Sequence, residues 1–287
     1  MDRVRVSMQR TISALLCLVF AMPSVAGPLF ADEKIDELDG VGITEHLDAK
    51  LPLELSFEDE FGHDVLLSKY INGDKPVIVT LNYYKCPMLC SLTLNGLVSG
   101  MKELEWTAGD EFEIVTVSIN PDEGPELAMT NKTGYINHYG RERGKDGWHF
   151  LTGSQENIVE LADALGFGYT FDAQTGEYLH TASIMFITPD GRISKYMNDV
   201  KFAGQDLRFA LVEASEGKIG STLDKLLLFN CFQYDPERNS YTPSAWKLMR
   251  TGAVLMLVVL GGGLAVLSWT TPERLRASKT HKDGPVS

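Results

Sequence analysis

Val77-Ile78-Val79-Thr80-Leu81-Asn82-Tyr83 runs directly into Tyr84-Lys85-Cys86-Pro87-Met88-Leu89-Cys90. The first seven residues form a continuous β-branched and apolar run, the pattern of a strand buried on both faces. Past the cysteines, Leu92, Leu94, Leu97, Val98, Met101 and Leu104 recur at near-helical spacing, which predicts a helix over residues 91–104. Two thiols four apart therefore sit where a strand pattern gives way to a helix. On a helix that spacing puts both side chains on one face. A helix N-terminus favours anions, so it raises the thiolate population there. Pro87 suits a first helical turn. Thiolate is both a soft-metal ligand and a nucleophile, and the pair could serve either chemistry.

Outward from this segment, residues 113–119 predict a second buried strand, ending in the turn Asn120-Pro121-Asp122-Glu123-Gly124. Residues 125–139 predict a helix, residues 148–151 a short strand, and residues 154–165 a further helix closed by Gly166. Residues 183–188 and 192–196, joined by Pro189-Asp190-Gly191, predict a hairpin, and residues 206–214 a last helix. A short hairpin is expected over residues 52–62. Parallel strands linked by helices and followed by an antiparallel pair give an α/β, thioredoxin-like order, a mixed sheet flanked by helices. In such folds a reactive dithiol sits at the end of the first central strand.

The ends of the chain carry different signals. Arg3, Arg5 and Arg10, an apolar stretch, and Ser24-Val25-Ala26 read as a secretory signal over residues 1–26. Cys17 lies inside its apolar stretch and reads as filler. Residues 251–272 carry no charge, and at ~1.5 Å per residue they reach across a hydrocarbon core of ~30 Å. Trp246 and Trp269 bracket this stretch as interfacial aromatics do. The expected organisation is a signal at 1–26, a linker or strap at 27–51, a thioredoxin-like domain at 52–218, a juxtamembrane segment at 219–247, a transmembrane helix at 248–271 and a cytoplasmic tail at 272–287.

The formal charge is −13, and residues 1–26 carry a net +2, so their removal leaves −15. That balance opposes nucleic-acid binding. Of four cysteines, Cys86, Cys90 and Cys231 survive removal of the signal. An odd number does not suggest a purely structural disulfide framework. Cys231 reads as a thiol for exchange, an intermolecular link or a small buried hydrophobe.

Three residues between Cys86 and Cys90, rather than the two usual in thiol oxidoreductases, leave both sulfurs free to face a common ion. A soft dithiolate suits Cu(I), and imidazole suits either copper oxidation state. Among the six histidines, His281 lies beyond the expected anchor, His46 falls in the expected strap, and His63, His138 and His149 have no special placing. His180 precedes the strand at 183–188, on the loop that approaches the active cysteines in thioredoxin-like folds. Thioredoxins place a cis-proline there, and Tyr178-Leu179-His180-Thr181-Ala182-Ser183 has none. Met88 offers a thioether inside the loop between the thiolates, if the backbone turns it toward them.

Cys86-Pro87-x-x-Cys90, Val117-Ser118-Ile119-Asn120-Pro121, Trp148-His149-Phe150-Leu151-Thr152-Gly153, His180 and Thr188-Pro189-Asp190-Gly191 occur in that order. In these motifs the chain resembles the Sco/SenC family of thioredoxin-like copper proteins over residues 45–218. The resemblance implies copper as ligand, with Cys86, Cys90 and His180 holding it. It implies a metallochaperone for the dinuclear copper site of cytochrome c oxidase, with oxidase subunit II as partner. Many relatives have an acidic residue and a proline where Met88 and Ser91 stand, and most carry an N-terminal rather than a C-terminal anchor. The expected place is the cytoplasmic membrane of a bacterium, main domain on the periplasmic or outer face. The alternative is a thiol-disulfide oxidoreductase with Cys86 and Cys90 as its catalytic pair, partnered by a thiol reductant. Cys86, nearer the helix start, would then be the attacking thiolate. No Pro-x-x-x-Thr-x-x-Cys pattern precedes Cys86, which argues against a peroxidase.

Overall fold

A computed structural model describes residues 40–86, 89–215, 232–235, 238 and 240–270, with backbone alone at 89–90 and 264–270. In chain order the strands are β1 (Gly42–Ile43), β2 (Ser56–Glu58), β3 (Asp64–Leu66), β4 (Val77–Asn82), β5 (Glu113–Ser118) and β6 (Trp148–Leu151). They continue as β7 (Phe167–Asp172), β8 (Glu177–His180), β9 (Ile184–Ile187), β10 (Ile193–Met197), β11 (Phe232–Asp235) and β12 (Ser240–Pro243). The helices are α1 (Leu89–Glu103), α2 (Pro125–Tyr139), α3 (Gly144–Gly147), α4 (Gln155–Ala164), α5 (Gly204–Ala214) and α6 (Ala245–Thr270).

The central sheet has the order β10-β9-β4-β5-β6. β4, β5 and β6 are parallel, while β9 and β10 run antiparallel. This mixed sheet flanked by helices is the expected fold class. Alternate residues of each strand enter opposite cores. Ile78, Ile114, Trp148, Phe150 and Phe186 pack with α1, α2 and α5. Val77, Val79, Leu81, Val115, Val117 and Met185 pack with Ile158 and Leu161 of α4. Double burial explains why β4 and β5 read as unbroken apolar runs. Their two buried threonines are satisfied, because Thr80 Oγ1 and the Trp148 indole N–H both donate to Thr116 Oγ1 at 2.9 Å. β4 and β5 pair in register from Val77↔Glu113 to Asn82↔Ser118, so both strands end level. The chain leaves that edge toward Cys86.

α1 approaches residues 200–202 through glycine. A Cβ on Gly96 would lie 2.0 Å from the Val200 carbonyl oxygen, and one on Gly100 2.3 Å from that of Phe202. Backbone cannot yield as a side-chain tip can. Gly96→Ala is therefore expected to destabilise the chain by ~1–3 kcal/mol, as overpacking does. Gly134→Ala, exposed in α2 with nothing within 4 Å of its Cβ, is expected to stabilise it by up to ~1 kcal/mol. Urea midpoints of the two variants check the opposite signs.

Away from the cysteines and His180, the structure departs from the sequence reading in four places. The first hairpin is β2–β3, later than residues 52–62, because Asp59 Oδ1 accepts from the Phe61 and His63 amides at 3.0 Å and makes the turn. Residues 167–180, given no strands by that reading, form the β7–β8 hairpin, turned through Gly176 at φ 74°. Part of the strap is ordered: β1 pairs antiparallel with β7, and Leu51 is buried. Residues 219–247, expected as a juxtamembrane segment without strands, contain the β11–β12 hairpin, which packs on α5 through Phe209 against Phe232 and Tyr241. Lys195 lies over the rings of Tyr234 and Tyr241 and pairs with Glu213 at 2.8 Å.

α6 follows β12 after Ser244 alone. From Ala245 to Gly263 it is long and apolar enough to cross a membrane by length and composition, and its large apolar side chains from Val254 to Leu260 are exposed. The signal at 1–26, the tail at 272–287, Met88, Cys231 and His281 lie outside the described residues.

Candidate functional site

Cys86 lies beyond the end of β4, after a turn at Tyr84–Lys85. The expected helical i, i+4 pair is not formed, since α1 begins at Leu89 and Cys86 precedes it. The turn before Cys86 is held by its own set of hydrogen bonds. The Cys86 N–H donates to the Tyr83 carbonyl at 3.2 Å. The Tyr84 and Lys85 N–H groups donate to Glu123 Oε2 at 2.7 Å and Oε1 at 2.9 Å. The Ser118 hydroxyl adds a third bond to Glu123 Oε2 at 2.6 Å. The buried Tyr84 hydroxyl donates toward the carbonyls of Leu151 and Thr116, at 2.7 and 3.0 Å. Burial pushes its pKa well up, and the charges of Glu123 and Glu60 add to that, so it remains a donor at neutral pH. Cys86 is half-buried against the core on the α4 face. Cys90 is the second residue of α1.

His180 ends β8 rather than lying in a loop, paired across from Tyr169. It is buried, with its ring edge-on to Tyr83 at 6.1 Å and tilted against Phe167 at 5.8 Å. Its Nδ1 lies 2.9 Å from the Thr181 carbonyl oxygen. A carbonyl can only accept, so Nδ1 carries a proton, and in the neutral ring the lone pair is on Nε2. This is the tautomer a metal-binding imidazole needs. Tyr83 links the two candidates: its carbonyl takes the Cys86 amide and its ring faces His180. Tyr178 packs on Tyr83 at 5.7 Å, and burial followed by the charges of Asp122 and Glu123 raises its pKa. No cis peptide occurs among the described residues, so residues 181–183 lack the thioredoxin device in backbone as well as in sequence.

The other described histidines are engaged elsewhere. His46 Nδ1 lies 3.2 Å from the Ala164 carbonyl oxygen, His63 lies beside Asp59, and His138 beside Asn95. His149 lies 3.4 Å from Glu113, at the start of β5 and so at the opposite end of the sheet from Cys86. Glu123 and Tyr83 are the site residues the sequence reading missed. The turn residues 120–124 signalled a loop, and nothing local marked one of its carboxylates as buried against another strand's end.

A family model described as SCO1/SenC matches residues 53–209. No curated protein matches the chain significantly. A candidate electron transfer protein of Aquifex aeolicus VF5 is similar in structure, with a TM-score of 0.52 at 21% identity, covering 60% of this chain and 96% of its own. Arabidopsis thaliana ScoI with copper bound is 17% identical, covering 56% of this chain and 96% of its own, with a TM-score of 0.46. Bradyrhizobium japonicum ScoI with copper bound is 18% identical, covering 56% and 96%, with a TM-score of 0.40.

Proposed function

The chain belongs to the SCO1/SenC family, and from that premise we propose that it binds copper as a metallochaperone for the dinuclear copper site of cytochrome c oxidase. Cys86 and Cys90 would supply thiolates and His180 the imidazole Nε2. The donor set fits copper: soft sulfur suits Cu(I), and nitrogen suits both oxidation states. The observation that carries the reading is the His180 ring, held in its Nδ1–H tautomer by Thr181 and set against the residue whose carbonyl takes the Cys86 amide. Copper bound there would be cargo, to be passed to cysteines of oxidase subunit II. The protein's part is to keep the turn and the imidazole fixed while the metal comes and goes. α6 would hold the domain at the outer face of a bacterial cytoplasmic membrane, with the segment after it in the cytoplasm.

The test is a copper titration of the reduced, full-length chain in detergent, followed by elemental analysis after a chelating wash. One copper per chain is expected. A chain that keeps none would end the copper reading. Dithiol turnover that persists undiminished in metal-free His180→Ala would favour the oxidoreductase alternative, because exchange between sulfurs needs no imidazole ligand.

A further inference from the structure

We propose that Glu123 is a positioning residue for the Cys86–Cys90 pair, an inference that rests on the site reading above. Glu123 belongs to the connection between β5 and α2, remote in sequence from the cysteines. Its side chain is buried, at 5% exposure. A buried carboxylate persists only where donors replace its lost water. Glu123 has three: the Tyr84 N–H, the Lys85 N–H and the Ser118 hydroxyl. Two of them are successive amides of the turn directly before Cys86. The next amide, that of Cys86, folds back on Tyr83. Rotating either peptide of the turn would break its N–H bond to the buried carboxylate and leave Glu123 one donor short.

The same turn is tied from its other side by the Tyr84 hydroxyl, which reaches the carbonyls of Thr116 and Leu151 on β5 and β6. The backbone that carries Cys86 is therefore referenced to the ends of β5 and β6, not to its own loop. Cys90 rides on α1, whose place is set by the close approach at Gly96 and Gly100. The Cys86 backbone and the helix that carries Cys90 thus have two separate anchors, and Glu123 is the anchor for Cys86. Its three bonds run to the turn and to β5, so it acts on the sulfur through the backbone.

The experiment compares Glu123→Gln and Glu123→Asp with the unaltered chain, all full-length, in detergent and metal-free. Each is equilibrated with dithiothreitol and its cyclic disulfide. As the Cys86–Cys90 bond forms, the two thiols lose two electrons and two protons, and the dithiothreitol disulfide takes them up to become its dithiol. Gln presents one acceptor where the turn needs two. Asp keeps the charge but withdraws it by one methylene. Both are expected to weaken disulfide closure about tenfold, a rise of ~30 mV for a two-electron couple, while circular dichroism stays unchanged. The unaltered equilibrium in both variants would overturn the proposal. So would a shift in Gln with Asp unchanged, since only the charge would then matter. If Glu123→Gln does not fold, Ser118→Ala carries the test: it frees one bond to the carboxylate, and a shift in the same direction is expected, no shift overturning the proposal. The readout contains no metal, so it stands or falls independently of the copper titration.

Discussion

Cys86→Ser and Cys90→Ser each abolish copper retention by the full-length chain, while His180→Ala separates the two oxidation states. Serine removes the soft donor, and the remaining thiolate and imidazole cannot replace it. Changes in groups that merely orient metal ligands typically cost about 10–100-fold in affinity, so loss of a thiolate should cost more than ~100-fold. Without His180 two thiolates remain, a set that still satisfies Cu(I). Cu(II) needs the nitrogen and should be lost. The measurements are metal stoichiometry after chelator challenge and the thiolate-to-copper absorption of the oxidised form. Tyr83→Phe is the control, because it keeps the ring that faces His180 and the carbonyl that takes the Cys86 amide. Stoichiometric copper in all three ligand variants would remove these residues from the site.

Lys132→Met is the substitution expected to cost the most stability. Lys132 on α2 pairs with Glu60 between β2 and β3, and both side chains are almost wholly buried, at 9% and 2% exposure. The other Glu60 oxygen accepts the Phe150 amide at 3.3 Å. Removing the lysine leaves a carboxylate buried with a single amide partner. Breaking a buried pair from one side typically costs ~3–5 kcal/mol, because the surviving charge is uncompensated. Lys132→Met with Glu60→Gln should recover part of this: the charge is gone and the amide oxygen still serves Phe150. Urea midpoints at constant slope would show it. A single variant losing under ~1 kcal/mol would mean that water reaches Glu60 and relieves it.

The sheet was legible because its strands are buried on both faces. The run at residues 77–83 and the run at 113–119 admit few other readings, and α2 follows its sequence bounds from Pro125 to Tyr139. The β7–β8 hairpin was not legible for the opposite reason. Phe167, Tyr169 and Phe171 alternate as a strand should, but the pairing that makes them one depends on Tyr178 and His180 across a turn. Half-buried strands with a polar tip show a weak pattern. The two cysteines and His180 could be nominated by chemistry and by order. The geometry of the turn before Cys86 could not, because it is held by Glu123, whose role appears only once β4 and β5 are laid side by side.

That arrangement bears on transplantation. Residues 83–90 look like a self-contained cassette, a short word that could be written into any thioredoxin-like frame. The hydrogen bonds say otherwise. The turn that opens the word is held by a carboxylate and a hydroxyl spelled out some thirty to forty residues later, at Glu123 and Ser118, and by two carbonyls on neighbouring strands. A host given the cysteines alone would receive the donor atoms without their grammar. The smallest portable unit is the strand end, the turn and the β5–α2 connection together.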